Sequence, residues 1–132
     1  MKSRADLILQ FNRAIHYAAI IDYSNTLIEC KGQKTSSFPL SAETLTDFAS
    51  IGPLLVLGAF GKKLEPSSGR LEFVVGRFEK ALVAIYQLRS VAVVLVAELT
   101  LDMDELQEVA GFLDKMDAFL PKRSLPESAI GG

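Results

Sequence analysis

The order of apolar and polar segments predicts an α/β domain, read as α-β-β-α-β-β-β-α with an antiparallel five-stranded sheet. Three observations carry this. A long uncharged stretch, FASIGPLLVLGAF, runs from Phe48 to Phe60. Three strand-like runs follow it, separated by two-residue polar breaks. A short apolar hairpin precedes it, and the whole is flanked by an amphipathic helix at each end.

Residues 4–16 read as the first helix, with Ser3 as N-cap and Leu7, Ile8, Phe11, Ala14 and Ile15 at helical spacing. Residues 18–21 then form a short strand and 26–30 a returning strand. Asp22-Tyr23-Ser24-Asn25 lies between them as a turn, in which Asp22 accepts backbone N–H bonds and Asn25 tolerates a left-handed conformation. Residues 31–39 are a polar connector. Ser41 caps the middle helix, which is expected to reach Phe60 and stop at Gly61, with a kink at Pro53.

After LEPSSG, residues 71–78, 81–88 and 91–99 form a meander. Its last strand, VAVVLVAEL, has the near-continuous apolar character of a strand covered on both faces. Arg70, Glu72 and Arg77 put polar groups into the first of the three, which suits an edge. Asp102 and Glu105 make a capping box for a closing helix whose buried stripe is Leu106, Val109, Leu113 and Met116. The domain is expected to span residues 1–120, with 121–132 an unstructured tail.

With 132 residues, 49% of them hydrophobic and 23% charged, the chain can bury a core without staples. One cysteine, Cys30, excludes an internal disulfide and a cysteine metal cluster, and fits a cytoplasmic setting. A net charge of -2, with no basic face interleaved with aromatics, argues against nucleic-acid binding. The uncharged stretch falls short of the roughly 20 residues of a spanning helix, so no transmembrane segment is expected. The N-terminus is no signal peptide, because Asp6, Gln10, Asn12 and Arg13 interrupt any apolar core.

No catalytic, cofactor or metal site emerges. GAFGKK lacks the first glycine and the hydroxyl residue of a phosphate loop and reads as a helix end, with Lys62 and Lys63 near the dipole. Those two lysines are candidate contacts for an acidic partner. His16 is the only histidine and has no neighbouring ligand in sequence. Cys30 reads as an inert half-buried thiol. The acids Asp102, Asp104, Glu105 and Glu108 read as capping and solvation.

The hairpin AAIIDYSNTLIECK, the middle helix, the meander RLEFVVGRFEKALVAIYQLRSVAVVLVAE and the closing helix LDMDELQEVAGFLDKM, in this order over residues 15–118, resemble the roadblock/LC7 family, in particular its small archaeal members. The resemblance rests on the ordered pattern rather than on a signature motif. Asn25 stands where the family commonly has glycine. The resemblance implies a three-layer roadblock/longin-like fold and a homodimer or heterodimer in which middle helices pair and edge strands join two sheets. It also implies a non-enzymatic platform for a small Ras-like GTPase or a scaffold complex.

The residues agree on one point. Ala49, Gly52, Val56 and Ala59 form a small-residue stripe that permits close helix approach, with Phe48, Ile51 and Leu55 then facing the sheet. Arg70 and Glu72 would flank the seam at the edge strand. The alternative is a small-molecule-sensing domain with a pocket between sheet and helix, where Ala81, Ala84 and Ala92 leave room.

Overall fold

A computed structural model describes residues 3–33 and 41–119. The first helix, α1, is Arg4–Phe11, shorter than its apolar spacing suggested. Ser3 and Asp6 close a capping box at its start. At its end, Asn12 Oδ1 accepts from the Ala14 N–H (2.9 Å) and the Asn12 carbonyl accepts from the Ile15 N–H (3.0 Å). That local turn takes Ala14 and Ile15 out of the helix.

Strand β1 therefore begins early, at Ile15, and runs to Asp22. It is paired on both edges, with β2 (Leu27–Gly32) on one side and β5 (Val91–Ala97) on the other. The hairpin turn is as expected. Asp22 Oδ1 accepts from the N–H groups of Ser24 and Thr26 at 3.0 Å each and from the Ser24 hydroxyl at 2.6 Å. Asn25 takes φ 72°.

The meander is β3 (Phe73–Arg77), β4 (Leu82–Gln87) and β5, and the sheet order is β2-β1-β5-β4-β3, antiparallel throughout. Every residue of β5 is buried, as its composition predicted for a central strand. Alternation splits its side chains between two cores. Val93, Leu95 and Ala97 join Ile8, Ile20 and Tyr86 beneath α1 and the closing helix α3 (Met103–Phe119). Val94 and Val96 join Tyr17, Ile21 and Leu57 beneath the middle helix α2 (Ala42–Ser68). The result is three layers.

Helix α3 starts at the predicted box: the Glu105 N–H donates to Asp102 Oδ1 (2.9 Å) and the Asp102 N–H to Glu105 Oε1 (3.0 Å). Leu106, Val109 and Leu113 are buried, with Met116 packed beside them. Phe112 stacks on Phe11, ring centroids 4.4 Å apart, joining α3 to α1. The Tyr86 hydroxyl donates to the Leu106 carbonyl (3.0 Å).

Helix α2 departs furthest from expectation. It begins at Ser41, whose hydroxyl accepts from the Thr44 N–H (3.1 Å), but it passes through both Pro53 and Gly61 and ends only at Gly69. Gly61 is therefore interior, and Lys62 and Lys63 lie in mid-helix rather than at a C-terminus. Two contacts carry the helix past its predicted stop. Glu65 accepts through its carboxylate from the Leu71 N–H (2.8 Å) and from the Gln87 amide (3.2 Å), tying the last turns to the sheet. Gly69, at φ 89°, then donates its N–H to the Glu65 carbonyl. The expected tail, 121–132, lies outside the described residues.

Candidate interaction surface

Three stripes run along α2. Leu45, Ala49, Pro53, Leu57 and Gly61, four residues apart, are buried, the first two and Leu57 in the core over the sheet. Phe48, Gly52 and Val56 are half-buried beside them. Of the three residues expected to meet the sheet, Phe48 packs against that core, but Ile51 and Leu55 are instead 62% and 69% exposed. The face assignment is thus corrected by about half a turn at this point. Ala49 has no exposed surface and packs on its own sheet, so it is unavailable as an external contact. The small Ala49 side chain allows α2 to lie close on the Ala19, Ala92 and Val94 surface.

Of the other residues in the predicted interface, Gly52 and Val56 are half-buried, and Ala59, Arg70 and Glu72 are exposed. Lys62 and Lys63 are exposed on α2. The ring of Phe48 lies across Gly52, where any Cβ would overlap it. Farther along, Phe60 (46% exposed) and Leu64 (54%) project where the helix reaches the start of β3. The sequence offered no way to separate these four exposed apolar residues from the buried ones, since α2 is apolar on every side.

Beside α2 lies the β3 edge of the sheet, which pairs with no further strand among the described residues. The Glu72 carbonyl accepts from the Gln87 N–H (2.9 Å) and the Phe78 N–H donates to the Ala81 carbonyl (2.8 Å). Even-numbered residues of this segment therefore turn their peptide groups toward β4. Phe73, Val75 and Arg77 turn theirs outward, into the position a further strand would occupy. Arg70 donates to the Gln87 carbonyl (2.7 Å), fixing the entry to this strand. The opposite edge, β2, is tied to α1. Glu29 accepts from the Ala5 N–H (3.0 Å) and pairs with Arg4 (3.3 Å), and Lys31 pairs with Asp6 (3.3 Å).

The Leu71 N–H, then the Gln87 amide, hold the Glu65 carboxyl below its ordinary range. Asp22 is lowered in the same sense by the Ser24 hydroxyl and the Thr26 N–H. Burial pushes the Tyr17 phenol, beneath α2, up to about 12. Asp117 Oδ2 accepts from the N–H groups of Arg89 (3.1 Å) and Ser90 (3.2 Å), capping the β4–β5 turn from α3. His16 Nε2 and Glu98 Oε2 stand 2.7 Å apart. These are structural roles. Among the described residues, no group of three or more His, Cys, Asp and Glu side chains could hold a metal ion. Cys30 is half-buried against the core under α2.

A cavity of about 530 Å³ opens between the first turns of α2 and the β3–β4 hairpin, lined by Leu45, Phe48, Phe78, Ala81 and Val83, with Thr44, Glu79 and Lys80 around them. Of the three alanines expected to leave room there, only Ala81 lines it. Ala84 and Ala92 are buried in the sheet on opposite faces. By length and composition α2, over Glu43–Ser68, is long and apolar enough to cross a membrane. Its Leu45-Ala49-Leu57 face is packed on the sheet, while most of the rest of the helix is not buried.

The chain superimposes on a roadblock/LC7 domain from Streptomyces avermitilis with a TM-score of 0.66, at 14% identity, over 86% of this chain and 91% of that one. The fold is that of the roadblock/LC7 domains. The gliding protein MglB from Thermus thermophilus matches with a TM-score of 0.60 at 19% identity, over 85% of this chain and 84% of the other. An MglB described in a tetrameric arrangement matches with the same score and identity, over 85% and 83%. No family profile and no curated protein sequence matches the chain.

Proposed function

We propose that this roadblock/LC7-like chain is a non-enzymatic, cytoplasmic homodimeric adaptor, serving as a platform for a small Ras-like GTPase or a scaffold complex. The observation that carries the reading is the juxtaposition on α2 and β3. Four large apolar side chains, Ile51, Leu55, Phe60 and Leu64, are exposed on a helix that lies beside an open strand edge. Soluble monomers rarely leave such a contiguous apolar face uncovered. An open edge supplies main-chain hydrogen bonds to whatever covers it. The shared fold with an MglB of tetrameric arrangement supports self-association as the first use of this face.

In this reading the interface comprises Gly52, Val56 and Ala59 with Ile51 and Leu55, while Arg70 and Glu72 flank the joined strands. Lys62 and Lys63 remain at its border for a second, acidic partner. The alternative of a small-molecule sensor has the apolar cavity in its favour. That cavity lacks the convergent buried polar groups that orient a ligand.

Light scattering on the purified protein tests the proposal. A dimer at micromolar concentration that Leu55→Asp or Ala59→Arg converts to a folded monomer is the expected result. A wild-type monomer at that concentration overturns it. Co-purification from the native cell then identifies the second partner.

A further inference from the structure

The homodimer reading leaves one feature without a use, the apolar cavity at the start of α2. Helix α2 runs antiparallel to β3. Its early residues Leu45 and Phe48 stand by Phe78 and Ala81 at the far end of that strand, while Glu65 is bonded to Leu71 at the near end. The cavity and the projecting pair Phe60 and Leu64 therefore lie at opposite ends of one strand.

The outward-turned peptide groups of β3 belong to Phe73, Val75 and Arg77 and are centred on Val75. A second copy adding its own β3 antiparallel about Val75 sets Phe73 of one chain opposite Arg77 of the other. The same two-fold rotation carries the last turns of one α2 to the first turns of the other. Resting on the homodimer reading, we infer that Phe60 and Leu64 of each copy fill the apolar cavity of its neighbour.

The chemistry of the two ends agrees. Phe60 and Leu64 are the exposed apolar side chains in these last turns, and the cavity walls are apolar with room of about 530 Å³. Lys63 stands between the two projecting residues, and Glu79 and Lys80 both flank the cavity mouth, so the fit rests on apolar surface rather than on net charge. A polar ligand would find no buried polar group on these walls to orient it, whereas two hydrocarbon side chains need none.

Cross-linking in a Cys30→Ser background tests the placement. One preparation carries Thr44→Cys, another Leu64→Cys, and the two are mixed, allowed to exchange and treated with a short bis-maleimide. The two positions lie roughly 30 Å apart along one helix, so the reagent reports contacts between chains only. The expected result is a covalent dimer from the mixture and from neither preparation alone.

Cross-linking of Leu64→Cys with itself overturns the inference, as does a mixture that is dimeric by light scattering yet gives no covalent product. Both outcomes leave the homodimer reading standing. A monomer by light scattering removes both. Leu64→Ser, an exposed change that the fold tolerates, is expected to raise the dimer dissociation constant about tenfold, a loss of about 1.4 kcal/mol. An unchanged constant overturns the inference.

Discussion

The Glu65 carboxylate accepts a hydrogen bond of 2.8 Å from the Leu71 backbone N–H, clamping the last turns of α2 to the start of β3. The same oxygen receives the Gln87 amide, which in turn donates to the Leu71 carbonyl (3.0 Å). One acid thus positions both the helix end and the strand edge.

That clamp makes stability depend on pH with a defined sign. The folded chain holds Glu65 below its ordinary value of 4.5, so in the acid range the unfolded chain binds more protons. The contribution is present in full above pH 4.5 and is lost as pH falls through the lower, folded value. Thermal melts of the wild type and Glu65→Ala, followed by circular dichroism, are expected to differ at neutral pH and converge on acidification. A gap that stays constant with pH would refute the assignment. Asp6 and Asp22 shift in the same direction in both proteins and cancel in the comparison.

The β1–β2 turn offers a backbone test. Asn25 sits at φ 72°, where a β-branched residue is strained. Asn25→Val is expected to cost about 1–2 kcal/mol in chemical denaturation. Asn25→Gly should lie near wild type, because relief of the left-handed strain is offset by the greater freedom of the unfolded chain.

Asp117 caps a turn from a distance. Removing its carboxylate leaves the Arg89 and Ser90 N–H groups without their acceptor. Asp117→Ala is expected to destabilise the fold by about 1–3 kcal/mol in urea titrations. Opening should concentrate in the β4–β5 turn, read by amide hydrogen exchange at those two positions.

The two faces of α2 should respond oppositely to charge. Ala49→Asp buries an unpaired carboxylate against the sheet and is expected to abolish folding. Leu55→Asp, on the exposed face, should change the stability of the isolated chain by less than about 0.5 kcal/mol. Its effect belongs in the size measurement instead. Equal loss of helical signal in both variants would contradict the assignment of faces.

These contrasts show which parts of the structure local chemistry could announce. The Asp22–Asn25 turn, the Asp102–Glu105 box and the wholly apolar β5 were legible, because each is specified by residues adjacent in the chain. The faces of α2 were not. Ile51 and Leu55 differ little in hydropathy from Leu45 and Leu57, and only the sheet beneath decides which pair is covered. The small-residue stripe was ambiguous at Ala49 for the same reason, since that side chain serves close approach to the sheet as well as it would serve a second helix. Gly61 carried a stop signal that the tertiary bonds of Glu65 overrode. The cavity depends on Phe48 of α2 and Phe78 of the β3–β4 hairpin lining one space, a juxtaposition that no local pattern encodes.

The position of β5 has a consequence for how the chain is made. β1, synthesised well before β5, pairs with it along most of its length, as in Ala18 with Leu95. Until β5 emerges, Ile15, Ile20 and Ile21 have only the β2 side of their sheet. The β1–β2 hairpin cannot reach its final burial until β5 has been made, and closure waits on contacts far apart in sequence. Nascent chains truncated before residue 91 are therefore expected to recruit chaperones, and those extended beyond 97 to release them.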